Sequence, residues 1–214
     1  MPRVAAKICG LSSPATLAAA VSGGAAHVGF VFFPKSPRSV STEQAAALAA
    51  RVPNHVGRVG VFVDPDDALL DAAVRAGRLS AIQLHGSEAP ARAAAIRQRY
   101  GTELWKALPV RTRADLADAA AYHGAADRLV YDAKPPRGAD LPGGLGLRFD
   151  WRLLDGFAHP LPWALSGGLD ADNVGQAVGI TGARLVDVSS GVESAPGVKD
   201  VDRIARFCQA VGHL

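Results

Sequence analysis

Sulfur, aromatic rings and net charge are all scarce in this chain of 214 residues, and each scarcity narrows what the molecule can be. It has only two cysteines, Cys9 and Cys208, near opposite ends. A secreted disulfide framework uses more, which favours a reduced, cytoplasmic setting. Neither cysteine stands at metal-ligand spacing from another Cys or His, so no metal site is expected. Aromatic residues make up 6% of the chain and the net charge is +3. The arginines are scattered rather than run together, which argues against nucleic acid or a membrane surface as partner. No window approaches the roughly 20 apolar residues of a bilayer span. The opening MPRVAAKIC reads as a strand, not as a leader.

What is present is ordinary globular composition, 49% hydrophobic and 20% charged, in a chain long enough for a substantial core. Short β-branched or apolar runs alternate with alanine-rich stretches of helical period. The pattern predicts strands near 4–9, 27–33, 56–63, 80–84, 103–107, 128–132, 162–166 and 184–189. Helices are expected near 14–22, 41–51, 66–77, 89–100, 112–122, 150–156, 171–179 and 200–211. Ser41 with Gln44 makes a capping box, Asp64, Asp150 and Asp170 stand where caps belong, and Gly77 and Gly101 where helices stop. Eight βα units favour a closed barrel over an open doubly wound sheet, and no dinucleotide glycine fingerprint follows the first strand. The expected architecture is a single (β/α)₈ TIM barrel over residues 1–214. The longest irregular stretch, 134–148, is either a solvent loop or a lid or binding loop.

In such a barrel the chemistry sits at the C-terminal ends of the strands. Strand one ends in Lys7 and Cys9, two apart and both facing inward. A buried lysine needs a partner, and Asp187 on strand eight has the right parity to supply one. Lys7 in turn favours a Cys9 thiolate, a base or nucleophile; the alternative is a buried structural cysteine. Asp132 faces inward at the end of strand six, as a general acid or base or as a simple turn cap. Arg38, on the proline-stiffened PKSPR loop, suits a planar carboxylate, or else is a solvated surface arginine. Gln83 and His85 face the mouth from strand four, His85 as a substrate ligand or a packed histidine. After strands seven and eight, Gly167 and Gly168, then Ser189, Ser190 and Gly191, offer small residues whose backbone N–H groups can cradle a phosphate. Trp105, Trp151, Trp163 and Cys208 read as packing.

The segments KICGL, HVGFVFFPKSPRSVS, VGVFV, IQLHG, LVYDAK, FDW, LSGGL and VDVSSGVESAPGVKD, in this order, cover the chain from Lys7 to about Asp200. Together they resemble the phosphoribosylanthranilate isomerase family of tryptophan biosynthesis. The resemblance implies a single TIM barrel and an Amadori rearrangement of N-(5-phosphoribosyl)anthranilate to 1-(2-carboxyphenylamino)-1-deoxyribulose 5-phosphate. It implies Cys9 as general base and Asp132 as general acid. Arg38 would hold the anthranilate carboxylate, and Gly167, Gly168, Ser190 and Gly191 the phosphate. No cofactor follows, because the reaction is neither a redox change nor a group transfer. The implied partner is a small phosphorylated substrate, and the assembly a monomer or homodimer. Two alternatives remain. A histidine-pathway ribonucleotide isomerase runs the same chemistry, but with an aspartate where Cys9 stands. A non-catalytic sugar-phosphate-binding barrel would have no reason to hold Cys9, Asp132 and Arg38 together.

Overall fold

The computed structural model describes residues 4–136, 138–139 and 141–214; Arg137 and Asp140, within the stretch expected to form a lid or binding loop, lie outside the described residues. Eight parallel strands close into a barrel in sequence order, the first beside the last. They are β1 (Ala5–Cys9), β2 (His27–Val31), β3 (Gly57–Phe62), β4 (Ala81–Leu84), β5 (Glu103–Val110), β6 (Arg128–Ala133), β7 (Trp163–Leu165) and β8 (Leu185–Val188). Among the described residues six α-helices pack outside: α1 (Pro14–Ser22), α2 (Thr42–Ala49), α3 (Asp67–Ala76), α4 (Pro90–Tyr100), α5 (Val174–Thr181) and α6 (Val201–Gly212).

Side-chain alternation makes two cores. Outward residues such as Ile8, Val28 and Leu129 meet the helices. Inward, Val59, Ala81, Trp105, Ala107, Val130, Ala164 and Leu185 fill the barrel. One fully buried tryptophan among alanines occupies the space that closure leaves, so Trp105 packs as expected.

The Ser41–Gln44 capping box forms, with hydrogen bonds of 2.9 and 3.2 Å. Asp64 does not cap α3. That role belongs to Asp66, whose side chain accepts the Leu69 N–H at 2.8 Å, while Asp64 accepts the Ser87 N–H. The helices expected near 112–122 and 150–156 are 3-10 helices, Arg113–Tyr122 and Trp151–Leu154. Their buried residues explain the difference: Leu116, Ala119 and Tyr122, and again Trp151 and Leu154, recur every third position, the 3-10 period. After β8 comes an unexpected element, a hairpin of β9 (Glu193–Ala195) and β10 (Val198–Lys199) turning through Pro196–Gly197. Among the described residues no helix is long and apolar enough to cross a membrane.

Candidate active site

The β1–β8 seam brings together four charged or nucleophilic side chains. Lys7 and Asp187 are register partners, and the ammonium donates to both carboxylate oxygens at 2.9 Å. Lys7 is fully buried. Burial alone would lower its pKa; Asp187 and Cys9 outweigh that and raise it, so the lysine stays charged. Cys9 lies one turn of the pleat nearer the mouth. Burial pushes its thiol up, Lys7 and Lys199 pull it down by their charge, and burial wins. Lys7 thus acts on Cys9 in the expected direction, lowering the thiol's pKa, while burial has the larger opposite effect.

Arg38 reaches the same mouth from the loop after β2. That loop folds back on its own strand, Val40 donating to Val31 O at 2.9 Å. The aliphatic stem of Arg38 crosses directly over Gly10, where a Cβ would stand 2.8 Å from Arg38 Cδ; a positive φ of 77° there also suits glycine. The fourth residue of KICG thus makes room for the arginine of PKSPR. Arg38 is buried, its Nε and Nη2 donating to Glu193 Oε1 and Oε2 at 2.7 and 2.8 Å. Glu193 also accepts Lys199 Nζ at 2.7 Å, and Lys199 goes on to Ser189 O and Oγ at 2.8 and 3.1 Å. Burial would raise the Glu193 pKa, but the two cations hold it below the usual carboxylate range.

Across the mouth the groups are linked by hydrogen bonds. Asp132 Oδ1 accepts the Ala133 N–H at 2.8 Å, and Oδ2 stands 3.1 Å from His85 Nε2. His85 Nδ1 lies 3.2 Å from Gln83 Nε2. His85 thus bridges the Gln83 amide and the Asp132 carboxyl across the mouth. The turn carrying His85 is clamped from below by a buried ion pair. Lys106 on β5 donates to Glu88 at 2.8 Å and to Gly86 O at 2.7 Å.

The site residues line one cavity at the barrel mouth. Cys9, Arg38, Gln83, His85, Asp132, Gly167, Gly168, Asp187, Ser189 and Ser190 all contribute to its wall. Lys7 lies behind Asp187, and Gly191 packs on the Leu169 backbone, so neither reaches the wall. Asn173, at the head of α5, donates to Gly168 O at 3.0 Å and holds the turn after β7 against the helix start. Residues 141–147 close the cavity from above. A Cβ at Gly143 would stand 2.6 Å from Asp132 Oδ2 and 2.7 Å from His85 Nε2, so this loop rests directly on the carboxyl–imidazole pair.

Sequence reasoning gave no role to Glu193, Lys199, Glu88, Lys106 or Gly143. Glu193 and Lys199 lie inside a quoted motif, and the Pro196–Gly197 pair between them is a turn signal that would have placed them on facing strands. Nothing local marks the Glu88–Lys106 pair, which forms only when β4 and β5 lie side by side.

The family model described as N-(5'phosphoribosyl)anthranilate (PRA) isomerase matches residues 6–210. An N-(5'-phosphoribosyl)anthranilate isomerase from Zymomonas mobilis subsp. pomaceae is 59% identical over 97% of this chain and 98% of its own length. One from Paracoccus denitrificans is 57% identical over 95% of each chain. The crystal structure of the Thermotoga maritima phosphoribosyl anthranilate isomerase superposes with a TM-score of 0.88 at 36% identity, covering 99% of this chain and all of that one. Another, in complex with reduced 1-(o-carboxyphenylamino)-1-deoxyribulose 5-phosphate, gives 0.85 at 35% identity, again over 99% and 100% of the chains. Matched over nearly its whole length in sequence and in backbone, the chain belongs to the N-(5'-phosphoribosyl)anthranilate isomerase family of tryptophan biosynthesis.

Proposed function

We propose that this cavity carries out an Amadori rearrangement of N-(5-phosphoribosyl)anthranilate, with Asp132 as general acid, Cys9 as general base, and residues 1–214 acting as one catalytic domain. One observation carries the reading: a thiol and a carboxyl line the same cavity, between an arginine on one side and two turns of small residues on the other. Arg38 takes the anthranilate carboxylate. Gly167, Gly168, Ser189 and Ser190 take the phosphate through backbone N–H groups and hydroxyls, while Gly191, packed on the Leu169 backbone, lets the two turns lie close together. Gln83 and His85 support the acid, and Lys7 with Asp187 supports the base from behind.

Asp132 donates a proton to the ribose ring oxygen as the C1–O bond breaks, and the anilino nitrogen's lone pair leaves an iminium. Oδ1 is engaged by the Ala133 N–H, so Oδ2, beside His85 Nε2, is the atom that transfers. The iminium acidifies the C2 proton, which the Cys9 thiolate removes. The enolamine then takes that proton back from the Cys9 thiol at C1, and its C2 hydroxyl proton returns to Asp132 as the ketone forms. Burial makes the thiolate the minor form of the free enzyme; Lys7 and Lys199 favour it by their charge, and the thiol's proton leaves to solvent through the cavity mouth before substrate binds. The reacting form thus pairs an acid and a base whose surroundings differ.

A small phosphorylated molecule is the partner this cavity fits, and we keep monomer or homodimer as the assembly; a dimeric T. maritima relative has been obtained as monomers. Two free thiols, one of them the base, suit a reducing cytoplasm. The test is a kinetic one. Substrate made in situ from anthranilate and phosphoribosyl pyrophosphate is followed by fluorescence, with Arg38→Ala expected to raise KM while kcat stays close to wild type. An unchanged KM would remove Arg38 from the substrate site.

A further inference from the structure

We propose that Glu193 aims Arg38 at the substrate's carboxylate, which makes the β9–β10 hairpin part of how the cavity selects an anionic aminobenzoate ligand. The proposal deepens the reading of Arg38 given above and rests on it.

A guanidinium is planar, with five N–H donors in a rigid fork, so fixing one edge fixes the direction of the other. Glu193 takes the Nε edge with both oxygens, at 2.7 and 2.8 Å. The second Nη2 proton goes to Gly144 O at 3.0 Å. Among the described residues Nη1 donates to no acceptor, and it lies beside Gly144 of the cavity wall, 2.6 Å from where a Cβ would be. The outer edge of the fork, Nη1 with Nη2, therefore faces the cavity, where a ligand carboxylate would replace the Gly144 carbonyl on Nη2 and add Nη1.

Glu193 can do this because it is itself held. Lys199 Nζ donates to Oε1 at 2.7 Å and the Gly197 N–H to Oε2 at 3.2 Å, both from the hairpin. Glu193 is nearly inaccessible to solvent, so its bonds to Arg38 are not screened by water. Lys199 also binds Ser189, so one carboxylate ties the carboxylate anchor to the loop on the phosphate side. The spacing between the two ends of the substrate is thereby fixed through protein.

Charge and aim make opposite demands, which gives the test its sign. If Glu193 merely offset the charge of Arg38, Glu193→Gln would strengthen the pull on an anionic ligand and lower KM. If it aims Arg38, the same change raises KM. The expected result is a rise in KM of about tenfold with kcat within about twofold. In an Arg38→Ala background, Glu193→Gln adds no further rise, because there is nothing left to aim. Binding of reduced 1-(o-carboxyphenylamino)-1-deoxyribulose 5-phosphate weakens likewise, whereas the analogue lacking the ring carboxylate binds both proteins equally. A KM that falls or stays the same overturns the proposal, as does a full Glu193→Gln effect persisting without Arg38. Should Glu193→Gln not fold, Glu193→Asp keeps the charge and retracts the carboxylate by one methylene, with the same rise expected. Arg38→Ala alone reports on the underlying reading: a normal KM there ends both.

Discussion

The two sides of the cavity treat protons by different means. On the β1–β8 side the surroundings of Cys9 are ionic and dry, with Lys7, Asp187 and Lys199 all buried. The state of the thiol is governed by the balance of burial and the Asp187 charge, which raise its pKa, against Lys7 and Lys199, which lower it. On the β4–β6 side Asp132 is joined through His85 to Gln83, and its other oxygen to backbone. Here hydrogen bonds, not neighbouring cations, hold the carboxyl in place. In the proposed reaction Asp132 acts first and Cys9 second, once the iminium has acidified the C2 proton.

That contrast can be broken most severely by removing the proton carriers. Cys9→Ala and Asp132→Asn are each expected to lower kcat by about 10³-fold, near the middle of the range for general acid–base groups, with thermal unfolding little changed. A near-normal kcat in either removes that residue from the chemistry.

Next in size is Lys7→Met. It strands a buried Asp187 and should cost about 3–5 kcal/mol of stability in denaturant unfolding. It also removes a cation that lowers the Cys9 pKa, so the rising limb of kcat/KM against pH should move to higher pH. Adding Asp187→Leu should recover stability without returning the limb to its wild-type position. A limb that does not move would show that Lys7 serves folding alone.

Gly143→Ala probes the acid side. Its methyl would press on both Asp132 Oδ2 and His85 Nε2. A fall of about tenfold in kcat is expected, since misplacement well under 1 Å is enough to cost that much. Unchanged kcat would mean that the 141–147 loop lifts clear during turnover.

The smallest effect lies outside both halves. Burial lowers the pKa of His27, on β2, and of His159, before β7, to about 4 from an ordinary 6.5. The folded chain therefore binds fewer protons than the unfolded one across that window. The stabilisation is complete above about pH 6.5 and declines as pH falls towards 4, which a series of thermal melts would follow.

Much of this was legible in the sequence because barrels obey local rules. Strand parity placed Lys7, Cys9, Asp132 and Asp187 inward and Ile8 outward, and the small-residue turns after β7 and β8 did arrive at one mouth. The 3-10 helix at Arg113–Tyr122 read as an ordinary helix because its alanine-rich sequence has the composition of an α-helix, and only the three-residue spacing of Leu116, Ala119 and Tyr122 gives it away. The partner of Arg38 was invisible for another reason. Glu193 is 155 positions away along the chain, and nothing near either residue announces the other. The burial that opposes Lys7 at Cys9 was not legible either, because the sequence shows the neighbouring lysine but not how deeply the pair lies.

The most direct test is the fluorescence decay of phosphoribosylanthranilate, generated in situ, followed with wild type, Cys9→Ala and Asp132→Asn side by side. Fast decay with wild type that falls to near the uncatalysed rate in both variants is the expected result. Decay at the uncatalysed rate with all three, or at the wild-type rate with either variant, would contradict acid–base isomerisation at this cavity.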